Sequence, residues 1–202
     1  MHLEVLVEEP SAEAALKELL PKILKSTISF HVVVHGDKGD LLKKLPSRLQ
    51  GYRAWMPSDW RIMVLIDEDR QDCRKLKFQL ERIAREAGFT TKSSARSGRS
   101  FQVLNRLAVE ELEAWFFGDV NAILQAFPRI PRHLGKKSGY RDPDAIAGGT
   151  WEALERILQR AGYFPGGLPK IETARRIARF MNPGINRSKS FQVFRDGLFQ
   201  LR

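Results

Sequence analysis

Three short apolar runs rich in β-branched residues, at 3–7, 30–34 and 62–66, are separated by segments too long for hairpins. This spacing is the tightest constraint in the chain, because parallel strands need long crossovers and helices are what supply them. Between the first two runs, Leu16, Leu19, Leu20, Ile23 and Leu24 recur at helical spacing, with Ser11 placed as a cap, Glu13 in the first turn and Pro21 expected to kink or shorten the helix. After the third run, Leu76, Leu80, Ile83, Ala84 and Ala87 form a stripe that predicts a helix over about 72–87, ended by Gly88 in a left-handed C′ position. Residues 101–104 read as a fourth strand, and 109–117 as a helix with Leu112, Trp115 and Phe116 on its core face. The segment 36–60 carries Gly36, Gly39, Pro46 and Pro57, which predicts only a short helix in an irregular crossover, and 90–100 reads as a polar, basic loop.

Beyond Gly118 the pattern changes to helices, at 120–127, 150–161, 171–181 and 190–201, with Thr150 placed as a cap. The expectation is an α/β fold: a mainly parallel, Rossmann-like sheet with helices on both faces over residues 1–118, and a helical C-terminal extension over 119–202. Cys73 is the single cysteine, which excludes an intramolecular disulfide and a cysteine-rich zinc site. Nothing in the first ten residues reads as a signal peptide, and no apolar run reaches the roughly 18 residues of a membrane helix, so a soluble cytoplasmic protein is expected.

The acids fall where ligands bind in such folds. Glu8 and Glu9 directly follow the first strand, and Asp67, Glu68 and Asp69 directly follow the third. In a parallel sheet all strand C-termini open on one edge, so topology brings together residues nearly sixty positions apart. Carboxylates gathered there repel one another unless a cation neutralises them, and hard oxygen donors suit Mg²⁺ or Mn²⁺. If the chain stays extended, Asp67 and Asp69 point to the same side and Glu68 away. The chain carries 34 Lys and Arg against 24 Asp and Glu, a net +10 that attracts polyanions. An acidic pocket on a basic body is what a metal-dependent enzyme acting on a phosphodiester requires.

Each acid also has a simpler use. Acids are common after strands as caps and turn residues, and Asp72 reads equally as a helix N-cap or a further metal ligand. Glu110, Glu111 and Glu113 open the helix expected at 109–117, where they gain from its dipole; Glu111 and Glu113 are also candidate outer metal ligands, and Glu110 would share a face with Glu113. Gly135-Lys136-Lys137-Ser138 echoes the end of a phosphate-binding loop, but no strand precedes it.

The run Leu6-Val7-Glu8-Glu9-Pro10-Ser11-Ala12-Glu13, with Asp67-Glu68-Asp69 later, resembles the Toprim domain of topoisomerases, bacterial primases and overcoming-lysogenization-defect nucleases. Together with Glu110-Glu111-Leu112-Glu113-Ala114-Trp115-Phe116 and Asn186-Arg187-Ser188-Lys189-Ser190-Phe191, nearly the whole chain resembles an uncharacterised Toprim-like domain-of-unknown-function family, number 4276, often encoded beside AAA-type ATPases. The resemblance implies acid/base or metal chemistry at Glu8 and Mg²⁺ held by Asp67 and Asp69, with Glu13 in the place of a later acid. It implies a Mg²⁺-dependent nuclease acting on DNA or RNA, in a defence setting with an AAA-type ATPase as partner. No tyrosine is placed for topoisomerase chemistry. The competing readings are a non-catalytic subunit that binds nucleic acid or an ATPase through the same fold, and a phosphatase or nucleotidyl-transfer enzyme on small substrates.

Overall fold

Four strands, β1 (His2–Val7), β2 (Ser29–Val34), β3 (Trp60–Asp67) and β4 (Val103–Ala108), form an all-parallel sheet in the order β2-β1-β3-β4. The structure is a computed structural model describing residues 1–201. The helices are α1 (Pro10–Ile23), α2 (Lys38–Trp55), α3 (Cys73–Glu86), α4 (Glu113–Gly118), α5 (Val120–Ala126), α6 (Thr150–Arg160), α7 (Lys170–Phe180) and α8 (Lys189–Leu198). No helix among the described residues is long and apolar enough to cross a membrane.

The pleat divides the core in two. Leu3, Val5, Val7, Met63, Leu65 and Leu104 face one side, where α1 and the helices from α4 onward cover them. Leu6, Ile62, Val64, Ile66 and Val103 face the other, against α2 and α3. The α/β class with helices on both faces is therefore as expected, and residues past Gly118 share one core with the first sheet face. Lys22 fastens the two, donating to the carbonyls of Ala178, Arg179 and Met181 at the negative end of α7. Trp115 is fully buried and donates through Nε1 to Ser190 Oγ at 2.9 Å, while Asn186 Nδ2 donates to the Trp115 carbonyl at 2.8 Å.

Several elements differ from expectation for identifiable reasons. The segment 36–60 holds an eighteen-residue helix rather than a short one: Leu41, Leu45, Leu49 and Tyr52 make a buried stripe, and Pro46 lies on the exposed side. α1 likewise continues past Pro21, and its N-cap is Glu9, not Ser11. β4 begins and ends later than 101–104, because Asn105 and Arg106 break its apolar pattern; inside the fold Asn105 donates to Glu81 and Arg106 to the Asn105 and Val193 carbonyls. The helix expected from residue 109 starts only at Glu113, since Glu110 has a left-handed φ of 61°. Gly88 does take the expected left-handed conformation after α3, with φ 81°.

Gly118 sits where α4 meets the turn before α8: a Cβ there would lie 2.0 Å from Asn186 Oδ1 and 2.9 Å from the Ser188 nitrogen. Gly118→Ala should displace Asn186 and lower stability by about 2 kcal/mol, a fall in Tm of about 4–8 °C in a thermal melt. An unchanged Tm would mean that this contact carries no packing constraint.

Candidate functional site

The site is made by strand register. Val7, the last residue of β1, lies opposite Leu65, so Glu8 leaves β1 beside the end of β3. Its Oε1 accepts the backbone N–H of Asp67. Glu8 is only 6% exposed, and burial pushes its carboxyl up to about 7, against the lowering effects of the Asp67 N–H and Lys38. Burial also holds the Asp67 carboxyl well above the usual carboxylate range, reinforced by the charges of Glu8, Glu113 and Asp69. Glu113, the first residue of α4 and 6% exposed, is pushed to about 7 by burial and then by Glu111.

Three carboxyl groups from three elements thus share one edge, Glu8 and Glu113 buried and Asp67 half-buried. Lys38, at the start of α2, supplies a nearby cation: its Nζ lies 2.7 Å from Asp69 Oδ2 and donates to the Glu68 carbonyl at 3.2 Å. The sequence reading missed Lys38, because it lay in the crossover read as irregular. Asp37 followed by Leu41, Leu45 and Leu49 was the available signal, since a helix capped there must begin at the same edge.

The remaining acids separate by role. Asp69 and Arg70 have φ of 51° and 60°, so the chain does not stay extended after Asp67 and the condition for strand alternation to set Asp67 and Asp69 on one side is not met. Asp69 is half-exposed and ion-paired with Lys38. Glu68 turns inward to accept the Glu110 N–H at 3.0 Å, and the Asp69 N–H donates to the Glu110 carbonyl at 2.9 Å, tying this turn to the one after β4. Glu111 accepts from Thr150 Oγ1 and the Trp151 N–H, both at 2.8 Å, and so takes over the start of α6 where Thr150 itself was expected as the cap. Asp72 caps α3, accepting from the Arg74 and Lys75 N–H groups, and Glu13 pairs with Lys17 at 2.7 Å. Glu9 meets Lys170 at 3.8 Å, and that ammonium sits 4.5 Å over the Trp151 ring.

Among the described residues no three His, Cys, Asp or Glu side chains are drawn together tightly enough to hold a metal ion. The donor set nevertheless fits a hard divalent cation. It consists of carboxylate oxygens, with Glu8 and Glu113 buried and Asp67 half-buried, and the Asp67 carboxylate has no hydrogen-bonded or ion-paired partner among the described residues. Asp67, Glu8 and Asp69 are the residues that would hold Mg²⁺ or Mn²⁺, with Glu113 behind them.

Residues 7–199 match the family described as Domain of unknown function (DUF4276), and the chain belongs to that family. No curated protein and no solved structure matches it.

Glu8 and Glu113 have folded values near 7 against 4.5 when unfolded, so the folded state binds the extra protons between these values. In the presence of EDTA, stability should be greatest below about pH 4.5 as far as these two groups decide it, fall as pH rises towards 7, and level off above. Glu8→Gln and Glu113→Gln should each flatten the fall in melts taken across that range. The same slope in the wild type and both variants would show that these carboxyls are not the groups responsible.

Proposed function

We propose that this protein is a Mg²⁺- or Mn²⁺-dependent phosphodiester hydrolase of Toprim type, acting on DNA or RNA. One observation carries the reading: the half-buried Asp67 carboxylate, without a hydrogen-bonded or ion-paired partner among the described residues, beside the buried Glu8 at the C-terminal edge of a parallel sheet. An anion so placed is costly unless a cation joins it. The basic remainder of a chain with net charge +10 suits a polyanionic substrate.

The bound cation would polarise the scissile phosphate and stabilise the charge on the leaving oxygen. Asp67 and Asp69 would hold it. Glu8 has one oxygen fixed by the Asp67 N–H, which orients the other; a carboxyl near 7 is matched to taking the proton of an attacking water at neutral pH. Water would add to phosphorus as its proton passes to Glu8, one P–O ester bond would break, and the leaving oxygen would take up a proton from solvent, Glu8 later returning its own to solvent. Lys38 braces the Asp69 turn from the helix side, and the Glu68–Glu110 bonds brace it from β4. The Toprim assignment and an AAA-type ATPase partner belong to the same proposal, supported by the strand-end acids and the family likeness.

A second reading is favoured by a specific observation: Glu8 and Asp69 already have internal partners in the Asp67 N–H and Lys38. In that case the edge would be a self-contained ionic turn within a non-catalytic binding subunit.

Cleavage of plasmid and single-stranded substrates with Mg²⁺ or Mn²⁺ separates the two. Asp67→Asn and Glu8→Gln should each lower the rate at least about 100-fold, whereas Asp72→Ala should lower stability through its lost cap and leave the rate unchanged. Wild-type rates in Asp67→Asn, or no cleavage by the wild type with either cation, would overturn the hydrolase assignment.

A further inference from the structure

The outer flank of β4 is closed to a further strand. The Thr90–Lys92 segment pairs with it at Val103, and Lys77 and Arg106 occupy the Asn105 carbonyl at 2.6 and 2.9 Å. Between α3 and α8 on this flank is a groove of about 620 Å³, within the size range of ligand sites. Its cations are Arg74, Lys77, Arg106 and Lys189, and its one carboxylate, Glu81, is already paired with Lys77 at 2.7 Å. Cys73, the first residue of α3, and Val109, just past β4, line one end, which therefore lies at the C-terminal edge of the sheet.

A second hollow, of about 200 Å³, continues the flank past the end of α8. Lys189 and Val193 of that helix line the first groove, whereas Phe199 and Gln200, just beyond it, line the second. The polar loop before β4 joins the two, with Ser93 in the first and Lys92 in the second. Lys92, Arg96 and Arg99 supply the cations of this hollow, and no carboxylate lines it.

These charges are largely uncompensated. Arg74, Arg96, Arg99, Arg106 and Lys189 form no salt bridge among the described residues. Arg106 donates to the carbonyls of Asn105 and Val193, and Gly197 leaves it room, since a Cβ there would meet the guanidinium. Cations held along one flank repel one another, and a row of anions passing them relieves this. Apolar side chains stand among them: Phe78, Val193 and Phe199 are 62%, 56% and 62% exposed.

The occupant must therefore offer repeated negative charge and flat apolar faces together. Single-stranded nucleic acid does so, because its unpaired bases stack on aromatic rings while its phosphates follow the cations. A duplex keeps its base faces to itself, and a mononucleotide fills one hollow and leaves the cations of the other unmet. An acidic peptide finds no free backbone ladder on β4, and a second copy of the chain would set the same cations face to face.

We propose that the flank of β4, from Arg74 and Lys189 to Arg96 and Arg99, binds a single-stranded segment of DNA or RNA, with bases against Phe78 and Phe199. The inference deepens the hydrolase reading by naming the form of the substrate and where it lies, and it rests on that reading only in taking the ligand to be nucleic acid.

The test is fluorescence anisotropy of a labelled oligothymidylate of about ten nucleotides, and of the matching oligouridylate, titrated with the full chain in EDTA so that no cleavage intervenes. Saturable binding that weakens steadily with salt is expected. Arg74→Ala with Lys189→Ala, and Arg96→Ala with Arg99→Ala, should each weaken it by about tenfold or more and reduce the slope of log affinity against log salt by about 1. Phe78→Ala and Phe199→Ala should each weaken it by at least about fivefold and leave that slope unchanged. All of these positions are exposed, so the fold should persist by circular dichroism. Arg175→Ala with Arg179→Ala, an equal charge change at exposed positions of α7, should leave binding within about twofold. The proposal is overturned if neither oligonucleotide binds, if the α7 pair weakens binding as much as the flank pairs, if the phenylalanine variants bind like the wild type, or if a duplex of the same length or thymidine monophosphate binds as tightly. Binding of the expected pattern by a chain that cleaves nothing would keep this site and remove the hydrolase, and cleavage without flank-dependent binding would do the reverse.

Discussion

The Glu8 carboxylate lies across the ends of two neighbouring parallel strands, accepting the first backbone donor beyond the buried part of β3. That one contact fixes the relation of the β1 turn to the β3 turn, and the rest of the edge is organised around it. It makes Glu8 and Asp67 neighbours, so that the Glu8 charge adds to the desolvation that raises the Asp67 carboxyl, while the Asp67 N–H partly offsets the burial that raises Glu8. Glu113 adds to the same field from α4. The surrounding bonds hold this strained arrangement: Lys38 to Asp69, Glu68 to the Glu110 N–H, and Glu111 to the start of α6. Left-handed backbone at Asp69, Arg70 and Glu110 is concentrated in these turns, where the chain bends the acids away from a regular strand.

The parallel sheet was legible because its signal is one of spacing: β-branched runs separated by helical stripes leave few alternatives. The position of Glu8 and Asp67 was legible for the same reason, since a strand's last residue fixes where the next side chain begins. What escaped was whatever depended on tertiary partners. Pro46 concealed the length of α2, and with it Lys38. Asn105 and Arg106 concealed β4, because a polar residue in a strand is recognisable only once its partners, here Glu81 and two carbonyls, are in place. Alternation predicted Asp67 and Asp69 on one side, yet the positive φ of Asp69 cannot be read from an aspartate alone. Asp72 was ambiguous by residue type, and the bonds to the Arg74 and Lys75 N–H groups place it as a cap. Family membership over residues 7–199 agrees with the likeness to that domain-of-unknown-function family.

The C-terminal helices have a part in the site although they lie on the far side of residue 118. They complete the core face beneath β1 and β3, and α4, which carries Glu113, is held to them through Trp115, Ser190 and Asn186. Lys170 at the start of α7 approaches Glu9 from that side. On the opposite flank, α8 lines a groove beside β4 through Lys189, Ser190 and Val193. The helical region is thus linked both to the acid edge and to the flank of β4.

The most direct measurement is the anomalous difference density of a crystal soaked in MnCl₂ at neutral pH. The account predicts one peak at the C-terminal edge of the sheet, in contact with carboxylate oxygens of Asp67 and of Glu8 or Asp69. A crystal with no peak there, and with Glu8 still on the Asp67 N–H and Lys38 still on Asp69, would contradict it.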